Sequence, residues 1–120
     1  MTVLELRDFL IDRGIADTKK TETGSKQLGV IEGFEMCRFL FKPEDFETKI
    51  ADLNKEAHEI QFRRSDLTQE ETEQYWRIRY QCLQVEFVYE RLKCAWRFPT
   101  LSARAVIDYQ NILEQKESNA

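Results

Sequence analysis

An unbroken helical pattern from about residue 69 to residue 98 limits what this chain can fold into more than any other feature. Thr68 and Glu71 form a capping-box pattern at its start, and Pro99 ends it. About thirty helical residues make a rod of roughly 45 Å. A compact domain of this chain's length has a radius of gyration of only about 14 Å. The sequence therefore predicts one long central helix, around which the remaining helices pack.

This long helix carries two apolar faces when its residues are placed at about 100° intervals. The first face collects Tyr75, Ile78, Cys82, Val85, Tyr89, Leu92 and Trp96. The second collects Trp76, Tyr80, Leu83, Phe87 and Cys94. Helices of the same chain can cover one face, and a second copy of the chain most simply covers the other, since symmetric homodimers are the commonest oligomers. We therefore expect a homodimer or higher oligomer with the second face as its interface; the alternative is a monomer with helices on both sides of the central one.

The N-terminal part of the chain predicts a first helix over residues 3–13. Thr2 and Glu5 fit a capping box, and Gly14 is placed to end the helix. Residues 16–26 carry almost nothing to bury, so we expect them to form an exposed loop.

A second helix is expected over about residues 26–41, where apolar residues recur at three-residue steps. Gly29 and Gly33 weaken this prediction, because a glycine inside a helix costs up to about 1 kcal/mol. Two glycines four residues apart would also let another backbone approach closely.

The third helix is predicted from Pro43, which suits a first turn, and it carries a single apolar stripe of Phe46, Ile50, Leu53, Ala57 and Ile60. A last helix is expected from about Ser102, with a frayed tail at residues 117–120. Together these patterns predict an all-α bundle of about five helices in a single domain, residues 1–120.

Charge and hydropathy narrow the class of partner and the compartment. The net charge of −4 argues against a general nucleic-acid binder, whose affinity depends on neutralising phosphates. No apolar run reaches the 18 or so residues that a membrane span needs, and the N-terminus lacks a signal-peptide pattern. We therefore expect a cytoplasmic protein that binds no membrane.

Candidate catalytic and metal-binding residues are few. His58 is the single histidine, and Lys55 stands where a carboxylate-histidine metal motif would have its glutamate. The segment from Gly24 to Lys26 departs from the phosphate-loop pattern. Cys37, Cys82 and Cys94 form no Cys-x-x-Cys pair, so we expect buried thiols. The sequence predicts no catalytic residue, no metal and no cofactor, and hence no enzyme.

One stretch has the composition of a ligand site. Trp96 and Arg97 end the long helix, and Arg104 and Tyr109 follow at the start of the last one. Free backbone N–H groups at a helix start favour an anion, while arginine and aromatic rings can hold a phosphate and a flat base. The alternative is that the aromatic residues belong to the core and the arginines cap the helix ends.

The functional expectation is a non-enzymatic, homo-oligomeric protein that binds another macromolecule, in the manner of small accessory proteins of bacteria, phages or mobile elements. The alternative is a homo-oligomer that captures a small anionic ligand, such as a nucleotide or signalling nucleotide, near subunit interfaces. A third possibility, a helix-turn-helix DNA binder, conflicts with the acidic residues Glu70 and Glu71 after the only suitable turn.

Overall fold

The computed structural model describes residues 2–63 and 66–97, without the side chains of Arg63 and Cys94. This part of the chain is all-helical and contains no β-strand. Its elements are α1 (Val3–Thr21), α2 (Gly24–Met36), a short 3-10 helix (Cys37–Phe39), α3 (Pro43–Arg63) and α4 (Gln69–Arg97). The all-α prediction is confirmed for these residues, and none of these helices is long and apolar enough to cross a membrane. The expected fifth helix from Ser102 and the tail at 117–120 lie outside the described residues.

The predicted starts of α1 and α4 are confirmed by their hydrogen bonds. At α1, the Thr2 hydroxyl accepts the Glu5 N–H at 3.1 Å, and the Glu5 carboxylate accepts the Thr2 N–H at 3.3 Å. The same reciprocal pair joins Thr68 and Glu71 at α4, both bonds measuring 3.1 Å. Pro43 opens α3 as expected. Each start is therefore encoded by residues within one turn of it.

The predicted end of α1 at Gly14 and the exposed loop at residues 16–26 are wrong. The helix continues to Thr21, and only Glu22 and Thr23 separate it from α2. Gly14 serves a tertiary contact instead, because a Cβ there would lie 2.3 Å from the ring of Phe34. The connection turns at Gly24, whose φ of 68° is the left-handed conformation that glycine adopts at little cost.

The second helix also differs from its predicted range of 26–41. It begins at Gly24 and ends at Met36, after which the chain tightens into the 3-10 turn. Leu40 is then extended, with φ −108° and ψ 119°, which allows the chain to reverse into α3. Buried Arg7 of α1 secures this corner, since its guanidinium donates to the Leu40 carbonyl at 3.0 Å.

The long helix α4 is central, because it packs against each of the other three helices. Helix α2 runs parallel to α4, while α1 and α3 run in the opposite direction. The direction of α3, for example, follows from two contacts with α4. Asn54 of α3 meets Arg79, whereas Phe46, earlier in α3, meets Tyr89, later in α4. The arrangement confirms the predicted central helix.

The first apolar face of α4 forms the middle of the core. Its buried residues are Ile78, Cys82, Val85 and Leu92, and the neighbouring Val88 and Ala95, which the predicted face did not include, are buried with them. They pack with Leu6, Leu10 and Ile11 of α1, with Val30 and Phe34 of α2, and with Phe46, Leu53, Ala57 and Ile60 of α3. Tyr75, Tyr89 and Trp96 of the predicted face lie at its border and are partly buried.

Two glycines of α2 bring its backbone close to that of α4. A Cβ on Gly33 would lie 2.7 Å from the carbonyl oxygen of Gln81 and 2.9 Å from its Cα. A Cβ on Gly29 would lie 3.0 Å from the carbonyl oxygen of Arg77. The sequence expectation that the two glycines admit another backbone is confirmed, and the second backbone belongs to α4.

Replacing Gly33 with alanine should lower the free energy of unfolding by about 1–3 kcal/mol, because the added methyl group forces two backbones apart. Helix propensity alone would raise the free energy of unfolding, because alanine favours a helix more than glycine does. The matched control is Ala51→Gly at an exposed position of α3, which should cost up to about 1 kcal/mol. Urea unfolding of both variants measures these values, and a stabilised Gly33→Ala protein would contradict the close contact.

Candidate functional site

The second apolar face of α4 is the most exposed apolar surface on the central helix. We call Trp76, Tyr80, Leu83 and Phe87 the α4 stripe; the side chain of Cys94, predicted to belong with them, lies outside the described part. Trp76 is 51% exposed and Leu83 is 47% exposed, whereas Tyr80 and Phe87 are partly buried. Two of the four stripe residues are therefore exposed, and the covering of this face by a second copy stays a prediction.

Helix α2 accounts for the partial burial of the other two. Gly29 lies beside Tyr80, where its Cβ would be 3.1 Å from the tyrosine Cβ. The ring of Phe34 meets that of Phe87 edge-on, with centroids 6.2 Å apart. The α4 stripe is thus partly supported by α2 and otherwise open.

Neighbouring rings and cations hold the aromatic side chains of the stripe in place. Trp76 contacts Tyr80 with ring centroids 6.2 Å apart. The Lys26 ammonium lies 5.7 Å from the Tyr80 ring, and the Arg91 guanidinium lies 4.9 Å from the Phe87 ring. Cation–π contacts of this kind contribute about 0.5–1 kcal/mol at exposed sites.

Charged side chains border the stripe on both sides. On the α3 side, Arg79 donates to the Asn54 side chain at 3.1 Å, and Glu86 accepts from the Cys82 thiol at 3.5 Å. On the α2 side, Arg77 forms a two-pronged ion pair with Glu32 at 2.7 and 2.8 Å. The hydrogen bonds that Arg77 donates to the Glu32 carboxylate raise the pKa of the Arg77 guanidinium. The stripe is therefore a narrow apolar band between polar margins.

The predicted ligand residues are only partly within the described chain. Trp96 belongs to an aromatic cluster, with centroid distances of 5.6 Å to Phe46 and 6.1 Å to Tyr89. Arg97 is exposed at the last residue of α4. Arg104 and Tyr109 lie outside the described residues, so their juxtaposition with Arg97 stays a prediction. The contacts of Trp96 match the core alternative for that residue.

The aromatic cluster includes a strong hydrogen bond between α3 and α4. The Tyr89 hydroxyl donates to the Glu47 carboxylate at 2.5 Å, and this bond raises the pKa of Tyr89 to about 12. The phenol therefore stays protonated at neutral pH and fixes the start of α3 on the C-terminal half of α4.

A cleft of about 420 Å³ lies between α2, α3 and the first turns of α4. Its acidic lining residues are Glu32, Glu56, Glu70 and Glu73, and the other residues around it are Ser25, Leu28, Gln74, Arg77, Ile78 and Gln81. No histidine is among the described residues that line this cleft. Among the described residues, no group of histidine, cysteine and carboxylate side chains is arranged to hold a metal ion.

Sequence reasoning missed the exposure of several large apolar side chains. Leu28, placed on the apolar face of the second helix, is 52% exposed at the cleft. Phe62 is 76% exposed and stacks on the ring of His58 at 5.6 Å. The i, i+4 spacing of His58 and Phe62 is the one sequence signal for this pair. The histidine thus lies on the outer surface of α3.

The two described cysteines are poor nucleophiles. Burial raises the pKa of the Cys37 thiol to about 12, an effect that the charge of Arg7 partly offsets. Burial, together with the nearby Glu86 carboxylate, raises the pKa of the Cys82 thiol to about 11. Since the thiolate is the reactive form, neither group can act as a nucleophile near neutral pH. The prediction of buried thiols is confirmed for both residues.

In a Cys94→Ser variant at pH 8, we expect neither remaining thiol to react rapidly with Ellman's reagent, because both are buried and protonated. Reactivity should rise only as the pH approaches 11–12, since raised pKa values delay thiolate formation. Unfolding in urea at pH 8 serves as the control and should release both thiols. A fast-reacting thiol in the folded variant would show that one of these sites is open.

Comparisons of this chain with protein-family models, with curated proteins and with solved structures find no match.

Proposed function

We propose that this protein is a non-enzymatic interaction protein that self-associates through the α4 stripe and, as an oligomer, binds a macromolecular partner. The observation that carries the proposal is the pair Trp76 and Leu83, each about half exposed on the helix that organises the whole fold. Cytoplasmic location and an accessory role belong to the same proposal.

Energetics support the stripe as an interaction surface. Fully burying a large apolar side chain contributes about 1.5–3 kcal/mol, and tryptophan and tyrosine are enriched among residues that dominate binding. The opposite face of α4 is packed into the core, so the stripe is presented by a rigid element. Rigidity lowers the entropy lost on association.

The chemistry of the cleft supports binding rather than catalysis. Its four glutamates face one arginine, Arg77, which Glu32 already holds. The described lining also offers no histidine as a general base. The acidic lining also opposes an anion at this position, so the cleft offers no support for a bound nucleotide.

Replacing Leu83 with glutamate should convert the oligomer to a monomer, because it places a charge in the middle of the apolar contact. Thermal stability of the monomer should change little, since Leu83 is about half exposed within its own chain. Multi-angle light scattering at several concentrations measures the mass. Leu83→Glu is a cleaner test than a change at Phe87, which also contacts Phe34.

The matched control is Leu28→Glu, the same substitution at a similarly exposed position on the cleft. It should leave the oligomer intact. A parent protein that is monomeric at all concentrations, or a Leu83→Glu variant with the parent's mass, would contradict self-association through the stripe.

A further inference from the structure

We propose that the α4 stripe binds a second copy of this chain in an antiparallel orientation, with the two-fold axis between Gln81 and Cys82. Tyr80 then packs against the partner's Leu83, and Trp76 packs against the partner's Phe87. This inference rests on the proposed self-association and specifies its geometry.

The spacing of the stripe matches helix–helix pairing of the coiled-coil type. Trp76, Tyr80, Leu83 and Phe87 follow one another at steps of four, three and four residues. Alternating steps of three and four give the 3.5-residue repeat with which two helices interlock side chains. In the antiparallel register, each stripe residue faces another stripe residue. The two outer layers pair Trp76 with Phe87, and the two inner layers pair Tyr80 with Leu83.

Charges that border the stripe favour this register. Arg79 and Glu86 lie on the same margin of α4, one heptad apart. Across the proposed axis, Arg79 faces the partner's Glu86, and the symmetric contact repeats the pair.

Other arrangements use these charges less well. Shifting the antiparallel pair by one heptad brings Arg79 against the partner's Lys93 or against its own equivalent. A parallel pair keeps one attraction, between Glu86 and the partner's Arg91, but sets Arg79 opposite an uncharged glutamine. Like charges placed across an interface disfavour it, so the Arg79–Glu86 contacts favour the antiparallel register. An unfavourable pair in this register, Glu73 opposite the partner's Glu90, lies beyond the stripe, where Lys93 pairs with Glu90.

The interface is small, and this has a measurable consequence. From Trp76 to Phe87 the stripe is about 17 Å long. Contacts of limited area lie at the weak end of specific protein interfaces. The dimer should therefore dissociate on dilution, which makes its equilibrium accessible to sedimentation.

A charge-exchange experiment tests the register in the full chain. Arg79→Glu and Glu86→Arg should each raise the dissociation constant about tenfold, because each sets like charges across both symmetric contacts. The double variant should return to about the parent value. Thermal unfolding in dilute solution controls for the bonds of Arg79 to Asn54 and of Glu86 to Cys82 within the chain.

Cross-linking tests the orientation without changing the stripe. Thr72 and Lys93 are exposed on α4 and about 32 Å apart along the helix. In the Cys94→Ser background, a mixture of Thr72→Cys and Lys93→Cys chains should give a mixed dimer with a short bis-maleimide. Adding Leu83→Glu to both chains is the control and should abolish that product.

The outcomes separate the orientation from self-association itself. A mixed cross-linked dimer together with rescue in the double charge variant supports the antiparallel pair. Cross-linking of Thr72→Cys chains only with one another, or no rescue, overturns this orientation while self-association stands. A parent chain that sediments as a monomer overturns both, since the stripe then meets another partner or another part of the same chain.

Discussion

The contact of α2 on α4 at Gly29 and Gly33 organises the structure. With no side chain at either position, the backbone of α2 comes within van der Waals distance of Arg77 and Gln81 on α4. This approach brings Phe34 between Gly14 of α1 and the ring of Phe87. Helix α1 is consequently positioned by α2 as much as by α4, and a change in the α2–α4 distance would disturb all three helices.

The same contact decides which part of α4 stays open. Helix α2 occupies one flank of α4, and α3 occupies the other through Phe46, Leu53 and the bond of Asn54 to Arg79. Between them, Trp76 and Leu83 remain about half exposed. An apolar band at that place is held by a rigid helix and bordered by charges of both signs. These properties support the proposal that the stripe is a contact surface.

Several polar groups of the described residues hold the helices in place. Arg7 is buried and held by the Leu40 carbonyl and the Asp8 carboxylate. The Tyr89 hydroxyl donates to Glu47, and burial raises the pKa of the Cys37 and Cys82 thiols. Every buried side-chain nitrogen or oxygen in the described part has a hydrogen-bond partner. These polar contacts position the helices relative to one another, which agrees with the proposed binding role.

Local signals in the sequence determined the helix starts, the single stripe of α3 and the first face of α4. Capping boxes, Pro43 and apolar periodicity act within one or two turns, so the residues that encode them are neighbours in the chain. Tertiary structure alone decided that α1 continues past Gly14 and that the second face of α4 is half covered. Both outcomes depend on α2, whose Phe34 and Gly29 meet α1 and α4 at positions far away in the sequence. The sequence does not distinguish a glycine that ends a helix from a glycine that admits a neighbouring ring. Only the residue packed against that glycine in the folded chain distinguishes the two roles.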